Sequence, residues 1–117
     1  MIAIKNKSKN SVLSTESIEC STIWSKFLGL MFLKIPKVLI FKFSKEHKIS
    51  LHMLFVFFPI DVLFLDKNKK TVDIKENFRP FTFYTSKEKA LYAIELQKGT
   101  IKKSKTEIGD EISFKDA

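Results

Sequence analysis

The chain has 117 residues, of which 44% are hydrophobic and 13% aromatic, and its formal net charge is +8 at pH 7. This length fits one domain with one core, and the apolar share excludes a disordered chain. The single cysteine, Cys20, excludes an internal disulfide, so we expect a reducing, cytoplasmic environment. The opening MIAIKNKSKNSVL has charge but no apolar run, and it therefore does not predict a signal peptide.

The positive charge comes almost entirely from lysine, because Arg79 is the only arginine among 21 basic side chains. Such a charge serves either an anionic partner, such as nucleic acid, or a solvated lysine surface. Arginine, whose planar guanidinium group forms paired hydrogen bonds with phosphates and bases, is nearly absent. We therefore favour the solvated surface and expect no specific nucleic-acid recognition, with weak lysine-mediated nucleic-acid binding as an alternative.

The first elements predicted along the chain are a short strand and a short helix. Residues 1–19 form a polar segment with a possible edge strand at Ile2–Ile4, and residues 20–117 form a single globular domain. The stretch STIWSKFLGLM predicts a helix from about Thr22 to Leu28, ended by Gly29, because its apolar residues recur at helical spacing. These residues are Ile23, Trp24, Phe27, Leu28 and Met31.

Strand periodicity begins at KVLIFKF, where Leu39, Phe41 and Phe43 share one predicted face and Ile40 lies on the other. The next stretch, LHMLFVFFPIDVLFLD, is apolar but does not predict a membrane span. It is shorter than the roughly 20 residues required, and proline and aspartate interrupt it.

That apolar stretch instead predicts two strands, Leu51–Phe57 and Ile60–Leu65, with a corner at Phe58 and Pro59. The turn sequence DKNKK joins the second strand to the alternating TVDIKE and predicts a hairpin. Alternation within TVDIKE predicts that Val72 and Ile74 point inward and that Thr71, Asp73 and Lys75 point outward.

The last third of the chain predicts further strands. A turn is expected over 77–80, a strand over Leu91–Leu96 and one helical turn within Gly99–Lys105. The result is a mainly β (α+β) fold. A compact sheet of about six to seven strands, barrel-like or sandwich-like, carries one short helix from the N-terminal half.

Four segments in the same order resemble the domain of unknown function 192 family of small bacterial and archaeal proteins. They are FLGLM (27–31), HMLFVFFPIDVLFLD (52–66), IELQKGT (94–100) and IGDEI (108–112). The likeness covers roughly residues 20 to 114. It implies a compact, largely β fold and no established activity.

This chain departs from the family pattern around Met53. Many members have an aromatic residue before this methionine and a polar Lys-Asn-Thr after it. Here His52 precedes the methionine and Leu54-Phe55-Val56 follow. If the polar triplet serves a ligand in relatives, this chain has lost it.

Asp61 is the leading site candidate because its strand position, shared with Leu63 and Leu65, predicts partial burial. A buried carboxylate needs donors or a proton, so Asp61 is either a poised functional group or a structural acceptor of backbone N–H bonds. Glu95 lies in an apolar strand. The two carboxylates could act together in acid–base chemistry if they faced one pocket.

The remaining candidates are weaker. His52 could be a general base or the end of a strand, and Arg79 could bind an anion or pair with an acid. Met53, Met31 and Gly29 could line an apolar ligand pocket or serve only packing and turn geometry.

We expect no metal, because His47, His52 and Cys20 lack ligand spacing, and no cofactor, because no phosphate-binding loop occurs. The sequence thus favours a non-catalytic β-rich binding or scaffold module of unknown ligand. Whether it is an enzyme stays open, with a carboxylate site at Asp61 and Glu95 as the alternative. A small-molecule ligand is compatible with both.

Overall fold

The computed structural model describes residues 3–20, 38–52 and 58–115. The expected helix over Thr22–Leu28 and most of the expected strand Leu51–Phe57 lie outside the described residues. Within the described ranges, ten strands and one helix follow the order β1 (Ile4–Asn6), β2 (Ser11–Ser14), β3 (Ile18–Cys20), β4 (Leu39–His47), β5 (Ser50–His52), β6 (Ile60–Leu65), β7 (Thr71–Phe78), β8 (Phe83–Thr85), β9 (Ala90–Gln97), α1 (Thr100–Ser104) and β10 (Ile112–Ser113).

A five-stranded sheet with the order β3-β4-β9-β6-β7 forms the centre of the molecule. All of its neighbouring strands are antiparallel except β3 and β4, which run parallel. A three-stranded sheet, β10-β1-β2, and a two-stranded sheet, β5-β8, complete the fold. Among the described residues, no helix is long and apolar enough to span a membrane.

The central sheet buries both of its faces, which is why the six residues of β6 are all buried. We call one side the Glu95 face, because the Glu95 side chain lies there beside a first apolar cluster. We call the other side the Asp61 face. The Glu95 face carries Leu39, Phe41, Val62, Phe64 and Ala93. The Asp61 face carries Ile40, Leu63, Leu65, Tyr92, Ile94 and Leu96.

Different elements cover the two faces. Leu51 and Tyr84, from the two-stranded sheet, pack against the Glu95 face. Ile4, Leu13 and Ile112, from the three-stranded sheet, pack with Ile101 of α1 against the Asp61 face in one apolar cluster. The mainly β prediction is therefore confirmed, with several packed sheets and no closed barrel in the described chain.

The strand near the N-terminus is an inner strand of its sheet and not an edge strand. Strand β1 lies between β2 and β10, so it has hydrogen-bonded neighbours on both sides. It begins at Ile4, and Ile2 lies outside the described residues. Its second partner lies more than a hundred residues away along the chain, which no local pattern of the sequence reveals.

The predicted β6–β7 hairpin is confirmed, but its inward and outward residues are partly wrong. The Asp66 carboxylate accepts the N–H groups of Asn68 and Lys70 in the turn. The pairing then shifts between Phe64 and Leu65. Asp73 pairs with Phe64 on the side opposite Ile74, as alternation requires, but both faces of the sheet are covered, so Thr71 and Asp73 are buried as well.

We predict that Phe64→Ala lowers the free energy of unfolding by about 3–5 kcal/mol, because Phe64 is fully buried and the truncation leaves a cavity. Urea denaturation measures the change. Ile108→Ala, at a side chain that is 66% exposed, is the control and should change stability by less than about 0.5 kcal/mol. Equal effects of the two variants would contradict this description of the core.

Candidate functional site

Two carboxylates lie buried in the middle of the central sheet, with Asp61 2% exposed and Glu95 3% exposed. Asp61 is paired across the strands with Leu96, whereas Glu95 is paired with Leu39 and Val62. Because cross-strand partners point to the same side of a sheet, the two acids lie on opposite faces. The condition for joint acid–base chemistry, a pocket that both carboxylates face, is therefore not met.

Asp61 is fully engaged by backbone donors. Its Oδ1 accepts the N–H of Asn77 at 3.0 Å, and its Oδ2 accepts the N–H groups of Gly99 at 3.0 Å and Ile101 at 3.1 Å. Asn77 has a positive φ of 51°, and Gly99 a φ of 90° just before α1. Asp61 thus stabilises two unusual backbone turns, and the contacts match the structural alternative drawn from the sequence.

Glu95 has the opposite environment. No hydrogen-bond donor within the described ranges reaches its Oε2. Desolvation by burial raises the pKa of Glu95 to about 8. The group is therefore mostly a neutral carboxylic acid at neutral pH. A buried polar atom without a partner costs free energy, and in the described ranges only Glu95 Oε2 and Thr71 Oγ1 are such atoms. Glu95 is the ionisable one of the two, so it is the stronger candidate for a functional role.

A second polar group lies on the Glu95 face, at the outer strand β7. Asp73 accepts bonds from the Tyr84 hydroxyl at 2.7 Å and the Lys87 N–H at 2.8 Å. Burial, followed by the hydrogen bond to Asp73, raises the pKa of Tyr84 to about 12. The Lys75 ammonium lies 5.3 Å from the centre of the Tyr84 ring. Strict alternation set Asp73 opposite Ile74 and therefore outside, but Tyr84 and its neighbours cover that face too.

The polar cluster around Asp110 joins distant parts of the chain. Asp110 accepts bonds from the Asn6 amide, the Lys9 ammonium and the Glu107 N–H. Burial by itself raises the pKa of Asp110, but these donors outweigh it and hold the pKa below its usual value. The Asn6 amide also donates to Thr106 Oγ1. Both Asp110 oxygens accept hydrogen bonds, so the cluster has a structural role.

Among the other sequence candidates, Arg79 is the one whose side chain the structure describes. Arg79 is exposed in the turn after β7, and its carbonyl accepts the Thr82 hydroxyl. The backbone of His52 pairs with Phe83 in β5, but its side chain is outside the described set. Gly29, Met31 and Met53 are outside it too. In the described ranges, no three acidic, histidine or cysteine residues are arranged to hold a metal ion.

We predict that Glu95→Gln changes the pH dependence of stability. In the wild-type protein the folded-state pKa of Glu95 lies above the unfolded value, so the folded state keeps a proton that the unfolded state has lost. Its stabilising contribution is full below about pH 4.5 and is lost as pH rises to about 8, at up to about 1.4 kcal/mol per pH unit.

The measurement compares urea midpoints of the two proteins from about pH 5 to pH 9. The wild-type protein should lose stability with rising pH relative to Glu95→Gln, which has no proton to release. Parallel curves for the two proteins would contradict the raised pKa.

We predict that Asp61→Asn lowers the free energy of unfolding by about 1–3 kcal/mol, because an amide has only one oxygen for the N–H groups on its two sides. Asp66→Asn is the matched control, since both backbone bonds there go to one oxygen, Oδ1. Chemical denaturation should separate the two variants. A wild-type midpoint for Asp61→Asn would rule out the anchoring role.

Known proteins share both the sequence and this fold. The family model DUF192, described as "Uncharacterized ACR", matches residues 4–114. The "UPF0127 protein PF1050" of Pyrococcus furiosus is 37% identical over 111 residues, covering 93% of this chain and 95% of its own length. The "UPF0127 protein" of Thermococcus sibiricus is 38% identical over 112 residues, covering 93% of this chain and 72% of its own.

Two crystal structures share the fold at lower identity. One, from Sinorhizobium meliloti 1021 and described as a candidate transcription regulator, has a TM-score of 0.85 at 21% identity and covers 97% of this chain and 91% of its own. The other, a protein of unknown function from Novosphingobium aromaticivorans, has a TM-score of 0.83 at 19% identity and covers 96% of this chain and 82% of its own. The family model and the archaeal relatives together establish that this chain belongs to the DUF192 family of uncharacterised proteins.

Proposed function

We propose that this protein is a non-catalytic binding module that holds a small organic molecule against the Glu95 face of its central sheet. The observation that carries the proposal is the buried Glu95 Oε2, for which the described residues offer no donor. A ligand group that donates a hydrogen bond to this oxygen would remove the cost of burying it unpaired.

The surroundings of Glu95 favour a ligand that is mostly apolar. Leu39 and Val62 are its cross-strand neighbours, and Ala93 precedes it by two residues on the same side. Small-molecule sites in proteins are typically lined by apolar side chains with a few polar groups that fix the orientation of the ligand. Glu95 supplies such a polar group within an apolar face.

Binding is favoured over catalysis because acid–base chemistry needs two groups that act on one substrate. Asp61 points to the opposite face and is saturated by backbone donors. The other acid on the Glu95 face, Asp73, is occupied by the Tyr84 hydroxyl and two backbone N–H groups. Neither acid supports Glu95 in a catalytic pair.

The contacts of the lysines also favour this proposal over nucleic-acid binding. Lys7 pairs with Glu111, Lys9 bonds to two acids, and Lys69 donates to the Phe114 carbonyl while lying 4.0 Å from the centre of the Phe114 ring. These charges are used within the fold. The proposal places the module in the cytoplasm, where a chain with a single cysteine needs no disulfide.

The test uses benzyl alcohol as a probe, because it combines an apolar ring with one hydrogen-bond donor. Carbon–proton NMR spectra report separately on methyl groups of the two faces. We expect shifts at the methyls of Leu39, Val62 and Ala93, and none at those of Leu63 and Ile94. Glu95→Leu, which keeps the apolar character but removes the acceptor, should abolish the shifts.

Ile108→Ala, which alters an exposed side chain, is the control and should respond as the wild-type protein does. The proposal fails if no methyl group on the Glu95 face responds to the probe. It also fails if Glu95→Leu responds like the wild-type protein.

A further inference from the structure

We propose that the Glu95 site selects a neutral ligand that presents a hydrogen-bond donor beside an acceptor, as an amide does, and rejects cations. This inference rests on the proposed function and adds the chemical class of the ligand. An amide and an undissociated carboxyl group form two parallel hydrogen bonds, one in each direction. Both buried polar partners are then satisfied without a net charge.

The geometry around Glu95 explains why a neutral pair is favoured. In the described chain, Glu95 makes no ion pair, and the flanking strands present Leu39 and Val62 to it. Moving a charged carboxylate and a charged ligand together into such surroundings costs both hydration energies. A neutral carboxyl group and a neutral ligand avoid that cost. The raised pKa of Glu95 supports the same conclusion.

Other titratable groups on this face lie farther away or are already paired. Lys75 and Asp73 belong to β7, which is separated from β9 by β6, and Tyr84 is bonded to Asp73. At the other end of β4, the His47 ring packs edge-on against Phe43, and its Nδ1 bonds to a backbone carbonyl. Burial is the cause that raises the pKa of Glu95, so the pH dependence of binding should follow Glu95 itself.

The test compares benzamide with benzamidine, two probes of nearly the same shape that differ in charge. We expect benzamide to shift the methyls of the Glu95 face and benzamidine to leave them unchanged. Benzamide should bind about tenfold more weakly at about pH 9 than at pH 6, because Glu95 loses the proton that the amide oxygen accepts. Affinities come from methyl shifts followed through a titration.

Two variants separate the possible outcomes. Glu95→Gln keeps a donor beside an acceptor, so it should bind benzamide with an affinity that no longer depends on pH. Glu95→Leu should bind neither probe. Because Glu95→Gln also removes the ionisable group, its folding across the pH range is checked by denaturation in the same buffers.

The opposite selectivity would overturn this inference and leave the proposed function intact. In that case benzamidine binds the wild-type protein, binds more tightly as pH rises and loses affinity in Glu95→Gln. If neither probe shifts a methyl group on the Glu95 face, the neutral-ligand inference fails. If benzyl alcohol also has no effect there, the proposed function fails with it.

Discussion

The Asp61 carboxylate is the contact on which the arrangement of the other elements depends. It bonds the start of α1 and the irregular end of β7 to the central strand β6, and so it fixes the position of three segments that are distant in sequence. Such a group must be buried to reach these donors. Burial of the carboxylate is tolerated because three backbone N–H groups donate to it.

Glu95 is a buried carboxylate in the same sheet, but among the described residues its Oε2 has no such donor. Adjacent strands of one sheet hold the two acids on opposite sides, yet one is saturated and the other has an oxygen without a donor from the described residues. A saturated acid contributes to stability, whereas an unpaired one reduces it. The difference between them distinguishes a structural residue from a candidate binding group more clearly than burial does.

Sequence alone predicted the periodic elements well. The alternation from Leu39 and the hairpin before and after the DKNKK turn follow from local patterns, because burial on a pleated strand repeats every second residue. Sequence could not supply the pairing between β6 and β9, so it left open whether Asp61 and Glu95 share a face. Sequence also could not show that both faces of β7 are covered, so its alternation set Asp73 correctly opposite Ile74 but wrongly in solvent.

The position of β1 between β2 and β10 affects how the chain folds during synthesis. Strand β1 is made before both of its partners, and one of them, Ile112–Ser113, follows more than a hundred residues later. Until then its unpaired edge is open to other chains, and Asn6 lacks the acceptor that Asp110 provides. Closing so long a loop is slow. The three-stranded sheet can therefore be completed only after translation has passed residue 113.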